Sequence, residues 1–374
     1  MKIHFWKHPI SVFLLLDLSW TLLSSFFSEL PIVSIKRLVI KSLFILIFFY
    51  LIPLLLKKRN LFLVYGLGFI VPIIWATYKH YLYGFGYEAS LLTSVPFYDE
   101  HAVYAACSAF ILPYFLLKTW KQKQQRLFHF LISVLFILAL LLSYSRAAWI
   151  SIIVSILFWI LIELKVSLKQ YKIMFALSLL TLLVSFNPIY ENFKKNSAKY
   201  NDEIGSHLVS VTNLKDDASN LERINRWICA IEIFKDNPAF GSGPGTYQFV
   251  YDRYQHPENM TRISTHHGDN GNAHSEYFMA LSENGLFGFL IFLGIVITSF
   301  KASIKLLHNQ LSNEHKALVI SALLGLITFY THGLFNSFID SSKMSILVYG
   351  SLGIIASIYT KVINERKDLE LMSD

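Results

Sequence analysis

Long apolar runs separated by short basic segments set the pattern of this chain. About 20 residues of helix cross a bilayer. Runs of roughly that length fall near Pro9–Phe27, Leu38–Leu56, Leu61–Tyr78, Ala102–Leu117, Leu127–Ser143, Ala147–Leu164, Ile173–Pro188, Leu286–Phe300, Ala317–Thr331 and Met344–Thr360. The pattern breaks once, over a polar segment from about Tyr190 to Asn284. The prediction is an all-α polytopic membrane protein of about ten transmembrane helices, with one large, partly helical loop between spans seven and eight. Its parts are spans 1–7 (1–189), the loop (190–285), and spans 8–10 with a tail (286–374).

The basic residues cluster at alternate ends of the spans: Lys2 and Lys7; Lys57, Lys58 and Arg59; Lys118, Lys121, Lys123 and Arg126; Lys165, Lys169 and Lys172; Lys301, Lys305 and Lys316; Lys361, Arg366 and Lys367. The rich side is expected to be cytoplasmic, which puts both termini inside and, by span parity, the large loop outside. Lys36 and Arg37 run against the pattern, and Lys41 reads as a snorkelling side chain at a span end. Asp17 and Glu163 read as reaching an interface. A transporter is disfavoured, because no internal repeat and no set of midplane charges is visible. The first run lacks a small-residue cleavage site and further spans follow it, so it reads as a span, not a signal peptide.

Composition agrees. Hydrophobic residues make up 54% and charged residues 16%, against roughly 25% charged in a soluble domain, and the mean hydropathy is +0.47. The net charge of +8 does not imply nucleic acid, since most of it sits between spans. The two cysteines, Cys107 in a span and Cys229 in the loop, exclude a disulfide framework.

The chemistry concentrates in the loop. Ser219-Asn-Leu-Glu222 matches a capping box, and Leu221, Ile224, Trp227, Ile228, Ile231 and Phe234 recur at helical spacing. A helix is expected over about Leu221–Lys235, stopped by Asn237-Pro238. Arg223 and Arg226, three apart, form either a solvated face or an anion clamp. Phe240-Gly-Ser-Gly-Pro-Gly-Thr246 reads as a tight turn, because it follows a helix and lacks the Lys-Ser/Thr of a nucleotide loop. His266, His267, Asp269 and His274 do not have compact zinc spacing, so no metal is expected. His274 begins a probable helix ending at Glu283-Asn-Gly285; it is either a structural imidazole or a general base near neutrality, about 6.5 if unperturbed. Arg146 lies in the turn between two spans, where it either snorkels outward or faces an anion.

Together these pieces resemble the O-antigen ligase and polymerase superfamily of bacterial envelope glycosyltransferases. The resemblance rests on ordered motifs: Trp20-x-x-x-Ser24-x-x-x-Ser28-x-x-Pro31; Pro96-Phe-Tyr-Asp-Glu-His101; Ser145-Arg146; Arg223-x-x-x-Trp227 with Pro238-x-x-Gly241-x-Gly243; and His274-Ser-x-Tyr277 with Glu283-x-Gly285. The chain departs from the family in lacking an N-terminal hairpin and in reading Asp99-Glu-His101 where an Asn is expected, which leaves that short loop without a role.

The resemblance implies a protein of the bacterial inner membrane that transfers a glycan, with inversion and without metal or cofactor, from undecaprenyl diphosphate to an acceptor hydroxyl of lipid A-core in lipopolysaccharide biosynthesis. Its partners would be the lipid-linked donor, the acceptor and membrane lipid, with no nucleic acid. Arg146, Arg223 and Arg226 would bind the diphosphate, and His274 would take the acceptor proton. A repeat-unit polymerase of the same superfamily is the alternative, and a lipid-linked substrate transporter a more distant one.

Overall fold

A computed structural model of the protein describes residues 5–55, 60–167, 169–171, 173, 211–256, 260, 264, 271–309 and 311–373, with backbone alone for 211–219 and 366–373. Among the described residues all regular structure is helical. The longer helices are α1 (Pro9–Phe26), α2 (Pro31–Leu55, with a π-helical stretch over Ile45–Leu51), α3 (Leu61–Tyr83), α4 (Tyr87–Thr93), α5 (His101–Lys121), α6 (Arg126–Leu142), α7 (Arg146–Glu163), α8 (Val211–Asp236), α9 (Glu276–Leu307), α10 (Asn313–His332) and α11 (Ser342–Ser373). Seven of these (α1, α2, α3, α5, α7, α9 and α11) are long and apolar enough to cross a membrane. The chain is an all-α, multi-pass membrane protein.

Local chemistry places the helix starts. Pro9 and Pro31 occupy first-turn positions, where a missing N–H loses nothing. Asn60, Ser275 and Ser312 accept from the free amides that open α3, α9 and α10. Nine of the ten expected spans correspond to described helices; the seventh, Ile173–Pro188, falls almost wholly outside the described residues. Helix α2 begins at Pro31 rather than Leu38, which draws Lys36 and Arg37 into the helix. The helix expected from His274 to Gly285 starts at Glu276 and runs on into the eighth span as α9, bending at Gly285, whose φ is +64°.

Helix α5 is the centre of one half of the bundle, packed on α6, α7 and α10. Lipid tails are as apolar as leucine, so close packing rather than transfer from water holds such helices together. Gly325 of α10 shows how: a Cβ there would stand 2.4 Å from the Phe110 ring of α5. In the other half α1 packs on α9 and α11 on the π-helical stretch of α2. Large apolar side chains of α2, α3, α6 and α7 point outward, among them Ile32, Val71, Leu127 and Ile153. A continuous surface of this kind suits lipid and not water.

Candidate active site

Most of the sequence motifs meet at one end of the bundle, where they divide into an anchor and a charged cluster. The anchor is built on the bend of α9. The turn Phe240–Thr246 lies against it so closely that a Cβ on Gly241, at φ +71°, would stand 2.4 Å from the Glu283 carbonyl carbon. The end of α1 binds the same turn. Ser24 Oγ donates to the Phe240 carbonyl at 2.7 Å, and Trp20 Nε1 to the Asn284 carbonyl at 2.8 Å. The Phe240 ring stacks between Trp20 and Phe27.

Every backbone N–H from Gly241 to Tyr247 is taken; Pro244 has none. Gly241 donates to Asn237, Ser242 to Ser282, Gly243 to Glu283 and Thr246 to Gly243. Gly245 and Tyr247 donate to the two carboxylate oxygens of Glu283 at 2.8 and 2.9 Å. No amide is left for a phosphate, so this glycine-rich stretch is a turn.

The charged cluster starts on α8. This helix begins at Val211, ahead of the expected start, and its backbone runs straight through the supposed capping box. Glu222 does not close a cap; it accepts from Arg226 Nε at 2.8 Å and from Ser264 Oγ. Arg226, which the resemblance would place on a substrate diphosphate, makes its hydrogen bonds here to protein groups. Besides Glu222, its Nη1 donates to the Asn272 carbonyl at 3.2 Å, and its guanidinium lies 4.9 Å from the Tyr251 ring centre. Burial disfavours its charge, but the hydrogen bond and charge of Glu222 outweigh that and raise its pKa above the usual value. Arg223, half-buried one turn before Trp227, donates to Asn220 Oδ1 at 3.3 Å.

His274 sits where α8, α9 and the α10–α11 connection join. Its φ is +46°, in the left-handed region that costs roughly 1–2 kcal/mol for a residue with a Cβ. The neighbourhood holds it there. Its N–H donates to Asn272 Oδ1 at 2.8 Å, and Trp227 Nε1 donates to its carbonyl at 3.4 Å while stacking on Phe278. The next residue, Ser275, caps α9 and also donates to the Gly333 carbonyl at 3.2 Å. Glu276 N–H donates to that same carbonyl at 2.8 Å, and its carboxylate accepts from Ser337 and from the amides of Phe338 and Ile339.

Burial, then the positive charges of Arg226 and Arg223, push the His274 pKa down to about 3. An unperturbed ring would titrate at about 6.5; burial first, and then the two arginines, lower it. The imidazole is neutral at any physiological pH. The charge of Arg223 also reaches His101 at the start of α5 and His332 at the end of α10. His101 belongs to the motif whose role the sequence left open, and His332 was not singled out from sequence. Arg146 opens α7 as an exposed residue and belongs to the same end: Tyr144 donates to the Phe85 carbonyl, and the Tyr87 ring lies 6.4 Å from both Tyr144 and His101. His266, His267 and Asp269 lie outside the described residues.

A cavity of about 340 Å³ opens beside Asn272, lined by Arg37, Glu100, Gln248, Glu283 and Asp340. A deeper one, sharing Arg37, Glu283 and Asp340, runs between α1, α2 and α9 to Asp17 and Lys41. There Lys41 Nζ pairs with Asp17 at 2.6 Å, and Arg37 pairs with Asp340. Lys41, expected to snorkel at a span end, and Asp17, expected to reach an interface, are instead paired with each other. One turn apart on α2, Arg37 and Lys41 face the bundle interior, and their acidic partners make that burial tolerable.

Residues 131–293 match the family model described as O-antigen ligase. The matched stretch runs from α6 to beyond the bend of α9 and contains Arg146, Arg223, Arg226 and His274. No curated protein matches the chain.

Proposed function

Through this domain the chain belongs to the O-antigen ligase superfamily, and on that premise we propose that it transfers a glycan from undecaprenyl diphosphate to a hydroxyl of lipid A-core, with inversion and without a metal. The observation that carries this reading is a neutral imidazole, kept so by burial and by the charges of two guanidiniums, on a strained residue two positions after Asn272, which lines a polar cavity.

As the acceptor oxygen bonds to the sugar C1, the bond from C1 to the diphosphate oxygen breaks. The electron pair leaves with the diphosphate and the acceptor proton passes to His274. Arg146 and Arg223 are assigned to the leaving diphosphate, whose growing charge a fixed guanidinium stabilises strongly in a poorly solvated site. Arg226 is assigned to holding the strand that carries His274. The low basicity of His274 then has a use. A diphosphate on Arg223 offsets the cationic field, so the imidazole gains basicity when the donor is in place. Proton abstraction is thereby coupled to donor binding.

The alternation of Lys and Arg clusters supports an inner-membrane protein with cytoplasmic termini and a periplasmic loop. Alkaline phosphatase fused at Asn213 is expected to be active and a C-terminal fusion inactive; the reverse result overturns this orientation. Lipopolysaccharide gels of a deletion strain test the function. The expected pattern is lipid A-core without a chain, while polymerised lipid-linked glycan accumulates. Core capped by a single repeat unit would mean that the protein is a polymerase.

A further inference from the structure

His332 ends α10 with 1% of its surface exposed, and neither Nδ1 nor Nε2 has a hydrogen-bond partner among the described residues. A neutral imidazole carries one donor and one acceptor, and buried polar atoms are ordinarily paired. Packing alone does not account for a histidine here. The Phe338 ring meets it edge-on at 5.1 Å, an arrangement that a phenylalanine would satisfy equally well. The next residue, Gly333, receives the hydrogen bonds of Ser275 and Glu276, the two residues that follow His274. His332, the last residue of α10, and His274, just ahead of α9, thus flank one backbone junction and share Arg223 as a charged neighbour.

We propose that His332 is a positioning residue that hydrogen-bonds the sugar of the donor nearest the diphosphate. The inference rests on the reading of Arg223 as a diphosphate ligand. With a diphosphate on Arg223, whose charge reaches His332, the group that would meet this imidazole is a hydroxyl of that first sugar. A hydroxyl donates and accepts, which matches the two orphaned nitrogens. Inversion puts acceptor and leaving group on opposite faces of C1, so one imidazole serves the acceptor and another the donor sugar. Fixing the sugar ring aligns C1 for attack; His332 itself exchanges no proton.

The test uses the purified full-length protein and two probes, undecaprenyl diphosphate and its glycan-bearing form. His332→Phe removes both nitrogens and keeps the ring packing, so its thermal melting should not fall. Its affinity for undecaprenyl diphosphate should stay within about twofold, while its affinity for the glycan-bearing lipid and its kcat/KM for transfer drop about tenfold or more. His332→Asn, which still donates and accepts, should recover part of that loss. Wild-type binding and transfer by His332→Phe would overturn the inference, as would equal loss of both lipids. A wild-type protein that transfers nothing and binds neither lipid would overturn the parent reading, an outcome that separates the two failures.

Discussion

The stretch of α9 before its bend carries two kinds of buried polar group, handled in opposite ways. Glu276 and Glu283 are enclosed by backbone amides: Phe338 and Ile339 on the first, Gly245 and Tyr247 on the second. Each carboxylate ties a distant segment to the helix, and with those donors in place it has little left to offer a substrate. His274, two residues before Glu276, is strained and kept neutral by burial and by neighbouring cations. The His332 ring nitrogens across the junction have no hydrogen-bond partner among the described residues. A few residues therefore separate scaffold from chemistry. The distinction is which groups still lack a hydrogen bond or a balancing charge, because such groups are costly in a folded protein unless a ligand completes them.

If this division is correct, variants on the two sides should fail differently. The largest effect is expected for His274→Ala: transfer by the purified protein falls about 10²- to 10⁴-fold with its melting temperature unchanged. Next comes Arg226→Ala, which leaves the carboxylate of Glu222 buried without its cation. Breaking such a pair costs about 3–5 kcal/mol, so melting and transfer should fall together. If melting held while transfer was lost, Arg226 would be a diphosphate ligand after all. Arg223→Lys keeps the charge but loses the planar fork, and is expected to lower kcat/KM about tenfold or more with little effect on melting. Near-normal transfer by this variant would remove Arg223 from the clamp.

The smallest effect is a flat line. The neutral form of His274 is the active one, and in the donor-free protein its pKa is about 3. Hence kcat/KM, which reports the free enzyme, should not fall between about pH 7.5 and 5. The kcat profile, which reports the donor-bound enzyme, should bend at a higher pH. A kcat/KM profile that bends at about 6.5 would mean that neither burial nor the arginines depress this ring as the structure implies.

Much of this was legible in the chain. Apolar runs and basic clusters located the described spans, Asn237-Pro238 marked the end of α8, and the motif order brought out Arg223 and His274. What escaped depended on facing and neighbours. Arg37 and Lys41 looked like residues in a loop and at a span end, since nothing local says which side of α2 meets Asp340 and Asp17. His332 closes an apolar helix, where a polar residue ordinarily marks an interface; its isolation is visible only once Phe338 is packed on it. The Ser219–Glu222 pattern is a sound start signal that loses to an upstream continuation of the same helix. The pKa of His274 depends on burial and on two arginines, both of them products of tertiary packing.

The central claim is that anchor and chemistry are separate, and one paired measurement tests it most directly: transfer per folded molecule for His274→Ala beside Gly241→Ala. The second places a Cβ at φ +71° only 2.4 Å from the Glu283 carbonyl carbon. The account predicts that His274→Ala is folded and inactive in buffer with or without EDTA, whereas Gly241→Ala melts early but transfers normally in the fraction that folds. Activity in His274→Ala, or a folded Gly241→Ala protein that cannot transfer, would contradict it.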